Sequence, residues 1–313
     1  MRASDTHPEL AALFVLIAMA LMGLVDNLVP IIGETTGLWQ FQILRSGLAL
    51  ILLCVIARWR GWRLAPKRYG AVLLRSFLVS SGLILYFAAL ALLPIAEAVA
   101  GLFTAPIFVL LLSVLFLGQR IGRVRVVAAL AGFAGVLLVL RPDAGGLGLI
   151  SILPVAAGVV YAMGQIITRE YCGGESAQTL TFGFFAGMGV WGLIGLAVLS
   201  VFPQPVPDGA AGFPLRLWGQ MSAAALGGTV AQAVASLGCV GLITRAYLMA
   251  EASFVSVFEY AMLISVVFWA WVLFGDQVDL WTGLGVAIII VSGAVLALRG
   301  KPASPDRPTR LPV

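Results

Sequence analysis

Ten apolar runs follow one another along the 313 residues, separated by short polar links. An apolar run of roughly 17 to 25 residues can cross the hydrocarbon core of a bilayer as an α-helix. The runs are Leu10–Ile31, Phe41–Ile56, Val72–Leu92, Glu97–Leu117, Val124–Leu140, Gly148–Ile167, Leu180–Val201, Ala223–Ile243, Ala252–Phe274 and Trp281–Leu298. The sequence therefore predicts an all-α integral membrane protein with ten transmembrane helices.

Composition supports this prediction and excludes several kinds of site. The chain is 61% hydrophobic and 11% charged, whereas a soluble domain is about a quarter charged. The first run lacks a small-residue cleavage site, so we expect a retained helix and not a secretory signal. Three scattered cysteines and the single His7 argue against a disulfide framework, a metal site and histidine-based catalysis. We expect neither a metal nor a cofactor.

The basic residues predict the orientation in the membrane. All but three of the 19 lysines and arginines fall on the side that holds both termini, and the exceptions are Arg45, Arg141 and Arg216. Because basic residues are enriched in cytoplasmic loops, both termini are predicted to be cytoplasmic, in a bacterial inner membrane. The net charge of +5 therefore reflects topology, and no nucleic-acid partner is expected.

Two segments, Ala96–Gln119 and Ala250–Gln277, indicate an internal repeat. Each begins with Ala-Glu-Ala, continues as an apolar helix and ends at a glycine (Gly118 or Gly275) that a polar residue follows. Each is the fourth helix of a group of five, and an odd number of spans inserts successive copies in opposite orientations. This pattern predicts two inverted repeats, 10–141 and 148–299, around a central cavity, with a cytoplasmic polar tail at 300–313. Chance similarity between two leucine-rich helices is the alternative.

The same residues resemble a known family. The stretch from Leu73 to Arg120, with Arg75 near its start and Pro106 within it, and the later Arg245-Ala246 and Phe258-Glu259-Tyr260 are similar to the EamA-type branch of the drug/metabolite transporter superfamily. The start "DNLVP…GLWQFQILRS" is similar to its bacterial riboflavin importers. This resemblance implies two five-helix repeats and solute transport. Gln119 and Pro30 depart from the family pattern, where glutamate and lysine are usual.

Asp26, Asn27 and Arg45 lie in apolar sequence near the loop that joins the first two spans. Charged residues at this depth normally face a cavity or a neighbouring helix. An ion pair between Asp26 and Arg45 would reduce the burial cost of both charges. The pair is predicted either to hold the two helices together or to serve as an outer gate or substrate anchor.

Glu259 lies about two turns into the ninth span and has no basic neighbour in sequence. Helical spacing places it on one face with Ser253, Ser256 and Tyr260. A buried carboxyl of this kind suits a proton-coupling site or a contact with a cation. The alternative is a hydrogen bond to Arg245 or to a hydroxyl on a neighbouring helix.

Further polar side chains could line the cavity. Gln232 lies on the eighth span, and Tyr161 and Gln165 lie on the sixth. They could equally join helices through hydrogen bonds worth about 0.6 kcal/mol each. Tyr86 on the third span could stack on a flat ligand.

Together these features predict a secondary transporter of a small organic metabolite that works by alternating access. No Walker-type phosphate loop is present, so ATP is not expected to drive transport from within this chain. Riboflavin uptake is the leading single-substrate hypothesis, and export of amino acids or related metabolites or drugs is the alternative. A membrane-embedded enzyme and a structural or sensory subunit are remoter alternatives. A coupling proton or ion, and the choice between monomer and homodimer, are left open.

Overall fold

The structure is a computed structural model that describes residues 7–90, 92–93, 95–141 and 149–299. Within these ranges the regular structure is entirely helical. The α-helices are α1 (Pro8–Asp26), α2 (Val29–Gly33), α3 (Leu38–Arg60), α4 (Tyr69–Leu90), α5 (Ile95–Leu102), α6 (Ala105–Leu117), α7 (Arg123–Leu140), α8 (Ile152–Tyr171), α9 (Ala177–Val201), α10 (Ala223–Met249), α11 (Ala252–Val255), α12 (Ala261–Phe274) and α13 (Leu280–Arg299). Short 3₁₀ segments cover Leu149–Ser151, Gly209–Gly212 and Ser256–Tyr260.

These helices form ten spans that are long and apolar enough to cross a membrane, so the predicted fold class is confirmed. Span 1 combines α1 and α2, span 4 combines α5 and α6, and span 9 combines α11, the 3₁₀ segment and α12. Each other span is a single helix. The predicted start of the sixth span at Gly148 and the tail 300–313 lie outside the described residues.

The two segments that indicated a repeat end in the same way. Gly118 follows α6 with φ 61°, and Gly275 follows α12 with φ 72°. Both backbone N–H groups bond to carbonyls of the preceding helical turn. Glycine adopts this left-handed conformation without the steric penalty that a Cβ brings. Spans 4 and 9 therefore end with the same glycine signal, which the sequence alone revealed.

Helix packing repeats between the two halves of the chain. Span 3 packs along span 6, and span 8 packs along span 1; span 3 also contacts span 7, as span 8 contacts span 2. Span 2 packs on span 7, and span 5 packs on span 10. If both span numbers of a contact are increased by five, counting on from span 10 to span 1, the result is another contact of this set or the same contact. The packing pattern of the first five spans therefore repeats in the last five.

The contact between spans 5 and 10 depends on two glycines that face each other. A Cβ on Gly135 would lie 2.7 Å from the carbonyl oxygen of Gly285, and a Cβ on Gly285 would lie 2.6 Å from that of Gly135. Neither position has room for a side chain, so α7 and α13 approach backbone to backbone, as small residues allow in membranes.

Three spans are interrupted within the bundle. Span 1 breaks at residues 27–28, where α2 restarts with Pro30 in its first turn, and span 4 breaks before Pro106 in the first turn of α6. Proline fits the first turn of a helix but not its interior. Span 9 changes to a 3₁₀ segment at Ser256–Tyr260, so the continuous ninth helix predicted from sequence is wrong there. Transporters commonly place their binding sites at such discontinuities.

Candidate functional site

Asp26 is the last residue of α1 and lies at the break in span 1. The side chain of Gln232, on α10, donates a hydrogen bond from Nε2 to Asp26 Oδ1 at 2.7 Å and also lies 3.1 Å from the carbonyl oxygen of Val25. Gln232 is buried, whereas Asp26 is partly accessible. This contact joins the first half of the chain to the second at the point where the helix is interrupted.

Asn27 stabilises the same break through the backbone. Its Nδ2 donates to the carbonyl oxygen of Gly23 at 2.8 Å and to that of Val266, on α12, at 3.3 Å. Both partners are backbone groups, so Asn27 fixes the end of α1 against span 9. Its predicted place beside Asp26 is observed, and its contacts are those of a bracing residue.

The predicted ion pair between Asp26 and Arg45 is wrong for this structure. No hydrogen bond or ion pair connects the two side chains in the described part of the chain, although they lie close enough to interact electrostatically. The reason is the packing: α1 lies along α10 and α12, while α3 lies along α9 and α10. Spans adjacent in sequence are thus not the principal partners of each other, and Gln232 takes the position beside Asp26.

Arg45 is nevertheless buried, and its contacts are few. Its guanidinium carbon lies 5.3 Å from the centre of the Phe41 ring, a cation–π contact. In the part of the chain that the structure describes, its Nε has no hydrogen-bond partner, and neither do the side-chain amide of Gln42 and the hydroxyl of Ser46 on the same helix. Buried polar groups are normally hydrogen-bonded. Helix α3 therefore carries buried polar groups that have no hydrogen-bond partner among the described residues.

Tyr86 lies near the end of α4 and faces the same region. Its ring is partly buried, lies 5.3 Å from the ring of Phe87, and is within electrostatic reach of Asp26. The structure thus brings Asp26, Gln232 and an aromatic side chain together, with Arg45 nearby. We call Asp26, Arg45, Tyr86 and Gln232 the Asp26 cluster.

A second polar group surrounds Glu259 in the 3₁₀ segment of span 9. The hydroxyl of Tyr247, on α10, donates to Glu259 Oε1 at 2.8 Å, and the hydroxyl of Tyr161, on α8, lies 3.3 Å from the same oxygen. Glu259 is 8% exposed. The predicted alternative of a hydroxyl on a neighbouring helix is the contact observed, and Arg245 is not its partner. We call Glu259, Tyr161 and Tyr247 the Glu259 cluster.

Gln165 and Tyr260 lie near this cluster without a hydrogen bond to Glu259. Gln165 is buried one turn beyond Tyr161 on α8, and its Oε1 has no partner. The ring of Tyr260 lies 6.0 Å from that of Phe103 and fills the space above Gly132. Tyr260 therefore packs toward spans 4 and 5, away from the two tyrosines that contact Glu259.

Sequence reasoning missed Tyr247 because the eighth span was predicted to end at Ile243. The helix continues through Thr244 and Arg245 to Met249, and Tyr247 is fully buried. A helix can continue past a basic residue whose side chain is exposed, as that of Arg245 is here.

Arg75 was recognised only as a family-like residue, and the structure gives it a definite set of partners. Its guanidinium donates to Thr168 Oγ1 at 3.0 Å, to the carbonyl oxygen of Leu180 at 2.8 Å and to Thr244 Oγ1 at 3.1 Å. Arg75 is only 2% exposed. It therefore fastens span 3 to spans 6, 7 and 8 at the end of the bundle where the chain's α1 begins.

A separate cavity of about 540 Å³ lies outside the spans, at the loop between α3 and α4 and the start of α9. Lys67, Glu175 and Gln178 contribute to its lining. Glu175 accepts hydrogen bonds from the backbone N–H groups of Lys67 and Arg68. This groove is lined by neither polar cluster, and its main charged residue is already bonded to the loop.

The chain is similar to known transporters in sequence and to a solved structure in fold. Residues 9–141 match the model of the EamA-like transporter family. The chain is 29% identical to a riboflavin transporter of Rhizobium johnstonii, covering 82% of this chain and 89% of that protein, and 29% identical to one of Vibrio cholerae, covering 93% of both. It is 25% identical to the pseudopaline exporter CntI of Pseudomonas aeruginosa, covering 91% and 95%. A crystal structure of 18% identity superposes with a TM-score of 0.72 over 95% of this chain and 98% of that one, which shows the fold.

Proposed function

We propose that this chain, which is similar to EamA-like transporters of the drug/metabolite transporter superfamily, is a membrane transporter that carries riboflavin across the bacterial inner membrane by secondary transport. The contact between Asp26 and Gln232 is the observation that carries this proposal. It joins the two halves of the chain at a broken helix, where the Asp26 carboxylate and the Arg45 guanidinium lie within electrostatic reach. In alternating access, the site between such halves is the one that opens to each side in turn.

The chemistry of the Asp26 cluster favours a neutral, flat, hydrogen-bonding solute. Asp26 offers an acceptor, the Nε of Arg45 offers a donor that has no partner among the described residues, and the aromatic ring of Tyr86 offers a stacking surface. An isoalloxazine ring carries an imide N–H between two carbonyl groups, so it presents a donor and acceptors on one edge. Two relatives that are named riboflavin transporters support this assignment.

Export of a zwitterionic metabolite is the second candidate, and one observation favours it. Asp26 and Arg45 carry opposite charges that do not pair with each other, and a zwitterion could contact both. The relative named pseudopaline exporter shows that this fold family also includes export. The direction of transport in this chain is therefore part of what the experiment must decide.

The positive-inside distribution of basic residues supports cytoplasmic termini. Arg60 ends α3 and Arg299 ends α13 on the side where α1 begins, while Arg141 and Arg216 lie on the other side. We assign that first side to the cytoplasm. The break in span 1, which lies near the other end of α1, then belongs to the periplasmic half of the bundle.

A ligand panel on the purified full-length chain tests the function. A ligand present at 100 times its Kd should stabilise the folded protein by about 2.7 kcal/mol. We expect riboflavin, and not amino acids, to raise the unfolding temperature and to exchange across the membrane in proteoliposomes. Stabilisation and exchange of amino acids without any response to riboflavin would instead establish the second candidate.

A further inference from the structure

Glu259 is a carboxylate inside the bundle that, among the described residues, accepts hydrogen bonds from hydroxyl groups and forms no ion pair. Tyr161 and Tyr247 contact the same oxygen of its side chain. In the described ranges, no lysine or arginine forms an ion pair with it. Three spans, 6, 8 and 9, therefore meet at one carboxyl group whose negative charge is not balanced locally.

The other ionisable groups on the elements around the 3₁₀ segment lie elsewhere. Arg125 is engaged with Glu251 and Ser253, and Tyr260 packs on Phe103. The remaining ionisable groups are Glu9 and Asp26 on α1, Arg123 on α7, Arg169, Glu170 and Tyr171 on α8, Cys239 and Arg245 on α10, and Arg299 on α13. The arginines among them occupy helix ends, whereas Glu259 lies within a span.

An unbalanced carboxylate in this position is costly, because the membrane interior solvates charge poorly. Taking up one proton removes that cost. A metal ion suits the site less well, because no group of three or more histidine, cysteine or acidic side chains that could hold one is found in the described ranges. We propose that Glu259 binds and releases one proton in each transport cycle and so couples solute movement to a proton gradient. The proposal rests on the secondary transport proposed above.

The chemical step is a simple protonation. One proton from water adds to a carboxylate oxygen of Glu259, giving the neutral acid, and the same proton returns to water when the site releases it. No other bond forms or breaks. The charged form accepts the hydrogen bonds from Tyr161 and Tyr247 strongly, because hydrogen bonds to an ionised acceptor are about twice as strong as neutral ones. Protonation therefore weakens the contact of spans 6 and 8 with span 9.

Helix α10 provides the connection to the solute site. It carries Tyr247, which contacts Glu259, and Gln232, which contacts Asp26. Fifteen residues of α-helix separate the two, or about 22 Å at 1.5 Å per residue. A change in the hydrogen bond between Tyr247 and Glu259 can therefore alter the position of α10 beside Asp26.

Infrared spectroscopy tests the proton site without any substrate. The full-length chain in lipid vesicles is titrated with acid while the carbonyl stretch of protonated carboxylic acids is recorded. We expect a titrating band that Glu259→Gln removes and that Asp26→Asn and Glu170→Gln keep. Tyr247→Phe retains the carboxyl group and should keep the band while shifting its pH midpoint. A spectrum that is the same in wild type and Glu259→Gln would overturn the proposal.

Transport of riboflavin in proteoliposomes tests the coupling. Counterflow exchange needs no net proton movement, whereas net uptake under an imposed pH gradient does. We expect Glu259→Gln to retain exchange and to lose the response of net uptake to the gradient. The control Glu170→Gln replaces an exposed carboxylate on α8 and should retain both activities. A Glu259→Gln protein that keeps the full gradient response, or that is folded but loses exchange as well, contradicts the proposal.

The two readouts separate this inference from the proposed function. If wild-type protein exchanges no riboflavin but the Glu259 band titrates, the riboflavin assignment fails and the proton site stands. If riboflavin exchanges normally and net uptake ignores the pH gradient, the transporter assignment stands and the proton site fails.

Discussion

The Asp26 cluster and the Glu259 cluster each contain one carboxylate within a span, one in each half of the chain. Different partners stabilise the two carboxylates. Each carboxylate lies at an interruption of its span, and each accepts a hydrogen bond from α10. Asp26 is partly accessible, is bonded by an amide and lies within electrostatic reach of Arg45. Glu259 is buried, is bonded by hydroxyls and has no cationic partner in the described residues.

This difference separates two tasks. A carboxylate with an amide partner and a nearby cation can remain charged and can exchange partners with an incoming solute. A buried carboxylate that only hydroxyls contact gains most from a proton. The comparison therefore links the proposed solute recognition to the Asp26 cluster and the proposed proton binding to the Glu259 cluster, and the variants below test this division.

The largest effect is expected for Asp26→Asn. Losing a hydrogen bond to a charged group costs about 1.5–3 kcal/mol, so kcat/KM for transport should fall by roughly 10- to 100-fold. The amide can still accept the bond from Gln232, so the protein should remain folded. Flux in proteoliposomes, normalised to inserted protein, measures the change. Asp279→Asn, an exposed aspartate between α12 and α13, is the matched control, and equal kinetics for both variants would refute the role of Asp26.

Arg45→Gln should affect binding more than stability. Arg45 is buried with an unpartnered Nε, so removing its charge should leave the unfolding temperature unchanged or raise it. The loss of one solute contact should weaken affinity about tenfold, or about 1.4 kcal/mol. Equilibrium binding and thermal unfolding of the same preparation measure both quantities.

Arg216→Gln is the control with the opposite expected result. Arg216 donates to the carbonyl oxygens of Gly33 at 2.5 Å and Thr36 at 3.2 Å and holds the loop before α10 against span 1. Its replacement should lower the unfolding temperature and leave solute affinity unchanged. If Arg45→Gln behaves like Arg216→Gln, Arg45 is structural and the recognition site lies elsewhere.

The spans could be predicted from the sequence, whereas the clusters could be predicted only in part. Lipid requires only length and apolarity of a span, and these are local properties. The bond between Gln232 and Asp26 joins residues 206 positions apart, and it depends on α1 packing against α10. The predicted pair of Asp26 with Arg45 assumed that spans 1 and 2 pack directly on each other, whereas α1 packs on α10 and α12 and α3 packs on α9 and α10.

Polarity alone therefore identified several residues that the structure brings together but not all of their partners. Glu259 was selected because an acidic residue within a span is rare and costly. Its partner Tyr247 was missed because one arginine appeared to end the eighth span, and the 3₁₀ geometry of Ser256–Tyr260 has no strong local signal. Helix boundaries and irregular turns depend on tertiary packing, and this is where reasoning from the sequence fails.

A smaller effect is expected for the tyrosine hydroxyls at Glu259. Tyr247→Phe removes the 2.8 Å hydrogen bond, and Tyr161→Phe removes the 3.3 Å one. Interhelical hydrogen bonds in membranes contribute about 0.6 kcal/mol on average and up to about 1.7 kcal/mol. Tyr247→Phe should approach the upper value and Tyr161→Phe the lower in denaturant titrations of the detergent-solubilised protein. A larger loss for Tyr161→Phe would mean that the shorter contact is not the stronger one.

The smallest effect on stability is expected at Asp279, which lies outside the spans. Its ion pair with Arg141 is exposed and so provides a contrast with the two buried clusters. Asp279 accepts a hydrogen bond from Arg141, and this bond, with the Thr282 backbone N–H at 2.9 Å, lowers the pKa of Asp279 from 3.8 to about 2. Because the folded-state pKa is depressed, the associated stability is present above 3.8 and is lost as the pH falls through about 2. Arg141→Gln should raise the pKa of Asp279 toward 3.8 in a carboxyl NMR titration. Both side chains are about half exposed, and exposed pairs contribute little to stability, so the free energy of unfolding at neutral pH should scarcely change. A loss there as large as that of Tyr247→Phe would show that exposure does not distinguish this pair from the buried clusters.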